Sequence, residues 1–437
     1  MWRICVVLLS VGLLAGCASS GRSEQVAVLG ADVADLRERM NELQGQVAEL
    51  TAYREVAACR LPNRAGADRL SVGFPISPER IPASGNVNVA VLFVDFPDAP
   101  ALQGATATAD EEGSTHDLFG QIVSDAESYL KAMSYGTFDV TFRPIHRWLR
   151  MPHNLSPYYR DYKNGYARGT GRFRLIGDAI GLADPDFDFE DIDSVVVIAA
   201  PEADSIGQAA SLRELFYADG QTIGNSISLG SRDGQGPDGL TIPHELGHNL
   251  GLPDLYDTSV SRDSEGHLPD EVDRFVGEFG LMGVGQRSSQ AEMFAWSRWQ
   301  LGWLRDTQVA CIKSFPASVQ LTPLPIPGGV KAVVVPLTET TALVVESRRL
   351  LGYDLYLRKE GALVYKIDTS VQSGEGPIVV GSLFGSPPDY SVILGPGGVW
   401  NWEGYFVTVK EVTPEGEYVT ISAIGWCAPD WSATRLW

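Results

Sequence analysis

Apolar residues follow a seven-residue repeat near the start of the chain, across residues 24–53. They alternate at spacings of three and four, at Val26, Leu29, Val33, Leu36, Met40, Leu43, Val47 and Leu50. A repeat of this length predicts a coiled coil, and β-branched residues or Met at the a positions with Leu at d favour a parallel homodimer. Gly30 and Gly45 lie within the repeat and weaken the helix. The alternative is one amphipathic helix packed on the protein's own globular part.

From residue 86 to 310 the pattern changes to alternating strands and helices. Residues 87–96 and 194–200 are almost wholly apolar, which is typical of strands buried on both faces. Residues 173–182 show the spacing of a helix. Another helix has one apolar face, made by Ile122, Ala126, Tyr129 and Met133. This alternation indicates an α/β or α+β domain.

The C-terminal part, residues 311–437, consists of short β-branched runs separated by Pro and Gly turns. The runs are residues 331–337, 341–347, Gly361–Asp368, 405–412 and 418–424. They predict an all-β, sandwich-like domain. The fold class predicted for the whole chain is therefore α+β, with a coiled-coil helix first and the β domain last.

Composition and charge narrow the classes of protein. The chain has 437 residues, of which 44% are hydrophobic and 20% are charged, as in a globular protein. There are 34 Lys and Arg against 55 Asp and Glu, so the formal net charge is −21. A chain this acidic, with no basic patch, is repelled by phosphate backbones, which excludes nucleic acid as a partner. The same acidity favours solubility and is compatible with binding hard cations.

The first residues have the pattern of a secretion signal. Residues 4–14 form an apolar run that is too short for a transmembrane helix but suits a signal peptide. The following LAGC, residues 14–17, resembles the lipobox of bacterial lipoproteins, in which residues 1–16 are removed and Cys17 carries lipid. Ala18 resembles the residue that sorts Gram-negative lipoproteins to the outer membrane, which predicts a location in the bacterial cell envelope, either periplasmic or surface-exposed. An ordinary signal peptide with an incidental Cys is the alternative.

Three cysteines follow the predicted lipid anchor: Cys59, Cys311 and Cys427. In an oxidising compartment we expect one disulfide and one free thiol. The sequence does not fix the pair, although Cys311 and Cys427 flank the C-terminal region and are slightly favoured. An alternative for Cys59 is a thiolate that caps a metal ion, as in a cysteine-switch propeptide.

The segment TIPHELGHNLGLPDLYD, residues 241–257, has the pattern of a metal site. His244 and His248 are four residues apart, so a helix places both imidazoles on one face, where they can bind a single zinc ion. Asp254 follows closely enough to supply a third ligand. Three protein ligands leave a coordination position for water, which is typical of a catalytic rather than a structural zinc site.

Glu245 lies next to the first histidine, about 100° around the helix, and so outside the set of ligands. It can take a proton from a zinc-bound water and pass it to the leaving amine of a peptide. Thr241 is predicted to cap this helix and Gly251 to end it. The alternative is a chance coincidence of two His and a Glu on a surface helix.

The segment HELGHNLGLPDLYD resembles the HExxHxxGxxD zinc motif of the immune inhibitor A-type peptidases, which are related to the metzincins. Further segments resemble parts of that family between about residues 87 and 370: VLFVDFPD at 91–98, SYG at 134–136, FGLMG at 279–283, residues 294–304, residues 343–348 and Gly361–Asp368. The resemblance implies a metzincin-like zincin domain that cleaves proteins or peptides. It implies zinc ligands at His244, His248 and Asp254, the catalytic base at Glu245 and a Met-turn at Met282.

Some features depart from the family pattern or add to it. Phe279-Gly280 stands where the family has Trp-Asp, so the floor of the pocket should differ in shape. The stretch before the first core strand is shorter than the propeptide that the family often carries, so we expect that the enzyme is kept inactive in a different way or not at all. Relatives bind structural calcium, and the acidic run at residues 184–193 is a candidate, with a solvated loop as the alternative. Tyr256 could donate to the oxyanion of the reaction, or simply pack against the helix end.

The sequence thus predicts five segments: a lipoprotein signal peptide at 1–16, a lipid anchor and coiled-coil stalk at 17–58, a linker at 59–85, a zinc metallopeptidase domain at 86–310 and a β-sandwich-like domain at 311–437. The predicted function is that of a lipid-anchored zinc metalloendopeptidase. One alternative is a surface binding or adhesion protein with a catalytically silent peptidase domain, and another is an interaction protein that acts through its coiled coil. The intact Glu245 argues against a silent domain.

Overall fold

The computed structural model of the protein describes residues 33, 36–41, 43–44, 56–63, 70–102, 111–158, 170–206, 209–230, 240–260, 269–283, 292–381, 388 and 390–424. The chain divides into two compact units, Met1–Arg54 and Glu55–Trp437. The predicted signal peptide, the predicted lipid attachment at Cys17 and the cysteine at Cys427 lie outside the described residues. Over the part of the chain that is described, no helix is both long and apolar enough to cross a membrane.

The first unit is helical at its described residues, as the heptad repeat predicts. Four apolar positions of the repeat are exposed, by 47% at Val33, 63% at Leu36, 53% at Met40 and 60% at Leu43. An exposed apolar row on a helix is compatible with a coiled coil, which stays a prediction.

The second unit contains five α-helices and sixteen strands among its described residues. The helices are α1 (Glu111–Ile122), α2 (Ser124–Met133), α3 (Thr170–Ala183), α4 (Thr241–Asn249) and α5 (Ala295–Gln300). The strands are β1 (Gly85–Asp95), β2 (Phe138–Arg150), β3 (Ser194–Ala199), β4 (Ala210–Leu212), β5 (Phe216–Ala218), β6 (Gln221–Ile223), β7 (Ser226–Gly230), β8 (Val309–Cys311), β9 (Ala317–Gln320), β10 (Ala332–Pro336), β11 (Thr341–Arg348), β12 (Gly361–Asp368), β13 (Ile378–Val380), β14 (Val399–Trp402), β15 (Tyr405–Thr413) and β16 (Gly416–Ala423). The protein is therefore mixed α and β with a β-rich C-terminal region, as predicted.

The first sheet has the strand order β2-β1-β3-β7-β4. Its first four strands are parallel, and β4 pairs antiparallel with β7 at the edge. The apolar run of β1 lies inside this sheet, where alternate side chains point to opposite faces. Val89, Val91 and Phe93 join one hydrophobic cluster with residues of α2 and α4. Leu92 and Val94 join a second cluster with residues of α3, so both faces are covered.

The C-terminal region forms two further sheets, ordered β13-β12-β11-β10-β8 and β14-β15-β16-β9. One face of the former contributes Val333 and Val345, and the latter contributes Val407 and Val419, to a single buried cluster. The two sheets therefore share a core.

The opposite face of the β10–β13 sheet packs against the first part of the unit. Val334, Val344 and Tyr365 belong to the same cluster as Leu246 of helix α4. The hydrophobic core thus crosses the boundary predicted after residue 310. The β-rich region is in this way in direct contact with the elements that carry the candidate site.

The segment predicted as a linker, residues 59–85, packs onto the same core. Cys59, Leu61 and Val72 are each at most 2% exposed. Cys59 forms a disulfide with Cys311, 252 residues away in sequence. The favoured pairing of Cys311 with Cys427 is therefore wrong. Two cysteines that flank the same region of the sequence need not lie close together in the folded protein. A thiolate cap from Cys59 is also ruled out, since its sulfur is bonded to Cys311.

Candidate metal centre

Helix α4 carries both histidines into the core. His244 is 2% exposed and His248 is 7% exposed, and their ring centroids are 4.8 Å apart. The helix begins one residue earlier than predicted: Thr241 is its first residue rather than its cap, and the N-cap is Leu240, which makes no side-chain capping bond. Gly251 ends the turn as predicted, with a φ of +106°. A Cβ there would also stand 2.7 Å from Ile76 Cγ2. Glycine is therefore required both for its backbone conformation and for this close approach.

Asp254 brings its carboxylate to the two rings. Its Oδ1 lies 3.4 Å from His244 Nε2 and 3.2 Å from His248 Nε2. Two ligand atoms about 2.0–2.1 Å from one tetrahedral zinc ion stand about 3.3 Å from each other. Asp254 Oδ1 is thus already at the separation from each ring that one ion requires. Within the described residues, the three side chains form the one group of three or more His, Cys, Asp or Glu side chains that could hold a metal.

Backbone carbonyls set the orientation of both imidazoles. His244 Nδ1 lies 3.0 Å from the carbonyl oxygen of Leu281, and His248 Nδ1 lies 2.8 Å from that of Leu252. A neutral ring that donates through Nδ1–H presents the lone pair of Nε2 to the centre. Asp254 Oδ1 is buried there without a hydrogen-bond partner. Two ring nitrogens and a carboxylate oxygen that converge on one point are a donor set suited to a cation, so the residues present fit a zinc ion.

The charges of the cluster lead to the same conclusion. Burial opposes a charge on His248, but the Asp254 carboxylate outweighs burial and raises the pKa of His248 to about 9. Burial also opposes the charge of Asp254, yet His248 outweighs it and holds the pKa of Asp254 below its ordinary value. The carboxylate is therefore ionised at neutral pH and attracts positive charge.

Met282 packs directly beneath the helix. It is 2% exposed, and a Cβ added to Gly247 would stand 2.6 Å from its sulfur. Its carbonyl oxygen accepts a hydrogen bond of 2.9 Å from the backbone N–H of Leu255, next to the third candidate ligand. The turn that contains Met282 therefore contacts both α4 and the segment after it.

Phe279-Gly280, where the sequence departs from the family pattern, lies just before Met282 in the same turn. Phe279 is 1% exposed. Gly280 has a φ of +144°, and a side chain there would stand 2.8 Å from the ring of Phe294. Glycine at 280 therefore makes room for the ring of Phe294.

Glu245 is a buried carboxylate beside the cluster. The residue is 6% exposed, and its Oε2 has no hydrogen-bond partner. Its charge is close enough to His248 to contribute to that group's raised pKa. Glu245 therefore presents one buried carboxylate oxygen without a hydrogen-bond partner beside the cluster.

Tyr256 stacks beside the first histidine. Its ring centroid lies 6.2 Å from that of His244, with 28° between the planes. The side chain is half-buried next to the cluster, which is compatible with both roles predicted for it.

Sequence inspection missed the edge strand β4 and the residue that ties it to the site. Ser211 in β4 donates a hydrogen bond of 2.5 Å to Asn249 Oδ1 at the end of α4. Asn249 in turn donates to Ser194 Oγ at 2.9 Å. The signal that could have indicated these contacts was Asn249 itself, a polar residue next to the apolar residues of the motif.

The acidic run at residues 184–193 is not gathered around a common point. Asp186 pairs with Arg147 at 2.7 Å, and Asp193 accepts a hydrogen bond of 2.9 Å from the N–H of Asn88. Asp188 accepts a bond of 2.9 Å from the N–H of a neighbour in the run. These carboxylates have separate protein partners, and a structural calcium site in this run stays a prediction.

The chain matched none of the protein-family models and none of the curated proteins with which it was compared. The function proposed for the protein therefore rests on the residues of the site.

Proposed function

We propose that the protein is a zinc-dependent endopeptidase with a metzincin-like catalytic domain. The observation that carries this proposal is the arrangement of His244, His248 and Asp254, whose ligand atoms are buried at metal-ligand separations. The buried, unpaired carboxylate of Glu245 beside them supports catalysis rather than a purely structural site. The resemblance to immune inhibitor A-type peptidases is in agreement with these residues.

The residues have distinct tasks in peptide hydrolysis. His244, His248 and Asp254 would hold the zinc ion and leave a further coordination position open. When bound, zinc would polarise the scissile carbonyl and increase the acidity of a water molecule. Glu245 accepts the proton of the attacking water and delivers it to the leaving amine. Its burial keeps competing solvent away from this carboxylate.

The edge strand supports a peptide as the substrate. Among the described residues β4 is the last strand of its sheet, and the Ser211–Asn249 hydrogen bond fixes it against α4. An exposed edge can take an extended peptide as an additional strand, through main-chain hydrogen bonds that do not depend on side-chain identity. This favours a protein or peptide substrate.

Location and assembly are proposed from the sequence. Lipid on Cys17 would hold the enzyme in the bacterial outer membrane, and the 24–53 repeat would form a stalk and a parallel homodimer. The Cys59–Cys311 disulfide supports an oxidising compartment.

The test is casein turnover by the purified full chain in detergent, compared with Glu245→Gln and Glu411→Gln. Gln preserves the shape of Glu245 but removes its basicity, so turnover should fall at least about 10²–10⁴-fold. Zinc content should stay near one per chain in all three proteins. Glu411 is an exposed carboxylate of β15, and its variant should keep full activity.

Two results would contradict the proposal. A wild-type chain that binds no zinc would show that the metal site is wrongly assigned. A Glu245→Gln variant with zinc bound and wild-type turnover would show that Glu245 is not the catalytic base. Zinc binding without turnover of any protein by the wild type would favour the surface-binding alternative.

A further inference from the structure

The loop between β12 and β13, residues 369–377, reaches from the second sheet to the third candidate ligand. The backbone N–H of Asp254 donates to Ser373 Oγ at 2.9 Å. The backbone N–H of Gly374 donates to the carbonyl oxygen of Asp254 at 2.9 Å. Both backbone polar groups of Asp254 are thus bonded to two adjacent residues that lie 119 and 120 positions further along the chain.

The same loop holds the chain a few residues later. Gly374 O accepts hydrogen bonds from Thr258, at 3.1 Å from its N–H and 3.4 Å from its hydroxyl. Gly374 has a φ of +76°, and a Cβ at this position would stand 2.1 Å from Thr258 Oγ1. The contact therefore requires glycine, both for its backbone conformation and for the close approach.

Asp254 depends on such contacts more than the histidines do. His244 and His248 are placed by the regular backbone of α4, which ends at Asn249. Asp254 lies beyond that end, in irregular backbone without a helical ladder to fix it. Its position must come from tertiary hydrogen bonds.

We infer that the 369–377 loop positions Asp254 for metal binding, with Ser373 and Gly374 as positioning residues. The β-rich C-terminal region is then part of the metal centre. This inference rests on the proposed function only in taking Asp254 as a zinc ligand. Outer partners of metal ligands typically contribute about 10–100-fold in affinity.

Four substitutions in the full chain separate this role from a general role in folding. Ser373→Ala removes the acceptor of the Asp254 N–H, and we expect zinc to bind about 10-fold more weakly. Gly374→Ala adds a clash with Thr258, and we expect a loss near 100-fold. Ser370→Ala is the matched control, because that serine is in the same loop but bonds to Asp368 at 2.5 Å. Ser373→Thr keeps the hydroxyl and should restore most of the affinity.

The measurement is the zinc dissociation constant by competition with a chromophoric chelator, with thermal unfolding of the metal-free proteins alongside. The inference is supported if Ser373→Ala weakens zinc binding while its metal-free unfolding temperature matches that of Ser370→Ala. The visible spectrum of bound Co²⁺ should change in the same variant, because it reports ligand geometry.

The outcomes distinguish the inference from the proposed function. If the wild type binds zinc and His248→Ala abolishes binding, the metal site stands. Wild-type affinity in both Ser373→Ala and Gly374→Ala would then overturn the positioning role alone. A wild-type chain without zinc affinity would overturn both. Equal losses in Ser370→Ala and Ser373→Ala would show a general effect on the loop and overturn the specific role.

Discussion

Gly247 separates the two histidines from the sulfur of Met282, and its replacement by alanine tests how closely the metal centre is packed from below. The added Cβ would stand 2.6 Å from Met282 Sδ and 3.3 Å from Cε. Met282 is 2% exposed, so its side chain has no route to solvent by which to relieve the clash. The Met282 side chain, α4 or the turn beneath it must move.

Two effects of known size oppose each other in Gly247→Ala. Alanine is favoured over glycine in a helix by about 1 kcal/mol. Overpacking a filled site costs about 1–3 kcal/mol. We therefore expect a net destabilisation of about 0–2 kcal/mol. In a Met282→Ala background the clash is absent, so the same substitution should stabilise by about 1 kcal/mol. The coupling free energy between the two sites is then about 1–3 kcal/mol.

The assay is urea unfolding of the four metal-free proteins of this double-mutant cycle, followed by tryptophan fluorescence. Gly181→Ala in α3 is the matched control, because a Cβ there meets nothing within 4 Å. It should stabilise by about 1 kcal/mol. If Gly247→Ala stabilises the protein that retains Met282 as much as Gly181→Ala does, the close packing of Gly247 against Met282 is refuted. Zinc affinity should fall in Gly247→Ala, since the turn carries the carbonyl that orients His244.

Two further predictions concern the remaining elements. Replacing Cys59 and Cys311 together by alanine should destabilise the protein by about 5 kcal/mol. The reason is that the disulfide closes a loop of 252 residues in the unfolded chain. Urea unfolding measures the change, and an unchanged midpoint would contradict the prediction. Leu36→Asp with Leu43→Asp should convert a dimer into a monomer, because both side chains belong to the apolar row and are 63% and 60% exposed on the described helix. Sedimentation equilibrium of the Cys17→Ser chain, which lacks the lipid attachment site, measures this, and a monomeric parent would contradict the coiled coil.

Strands whose own residues carry a clear hydrophobic pattern could be predicted from the sequence. The apolar run at 87–96 predicted β1, observed at Gly85–Asp95, since a strand buried on both faces needs no polar alternation. Gly361–Asp368 is observed with the predicted bounds. β4 was missed because three residues carry no measurable periodicity. Its pairing with β7 depends on contacts that only the folded chain provides.

The site divides in the same way. The spacing of His244 and His248 determines their common face on one helix, so the pair could be predicted from sequence alone. The partner of Cys59 and the support of Asp254 by Ser373 could not, because each depends on a residue more than a hundred positions away. Such contacts are set by how the sheets pack, for which no local pattern exists.

The loop at Ser373 has a consequence for the timing of synthesis. A ribosome makes Asp254 before it makes the serine that fixes it, and the two are 119 residues apart. At roughly 5–20 residues per second, that interval is about 6–24 s. Throughout it the growing chain has both histidines but lacks the support for the third ligand. The candidate metal centre is therefore completed late, when most of the polypeptide has been made, and a chain that ends before Ser373 would lack this support for Asp254.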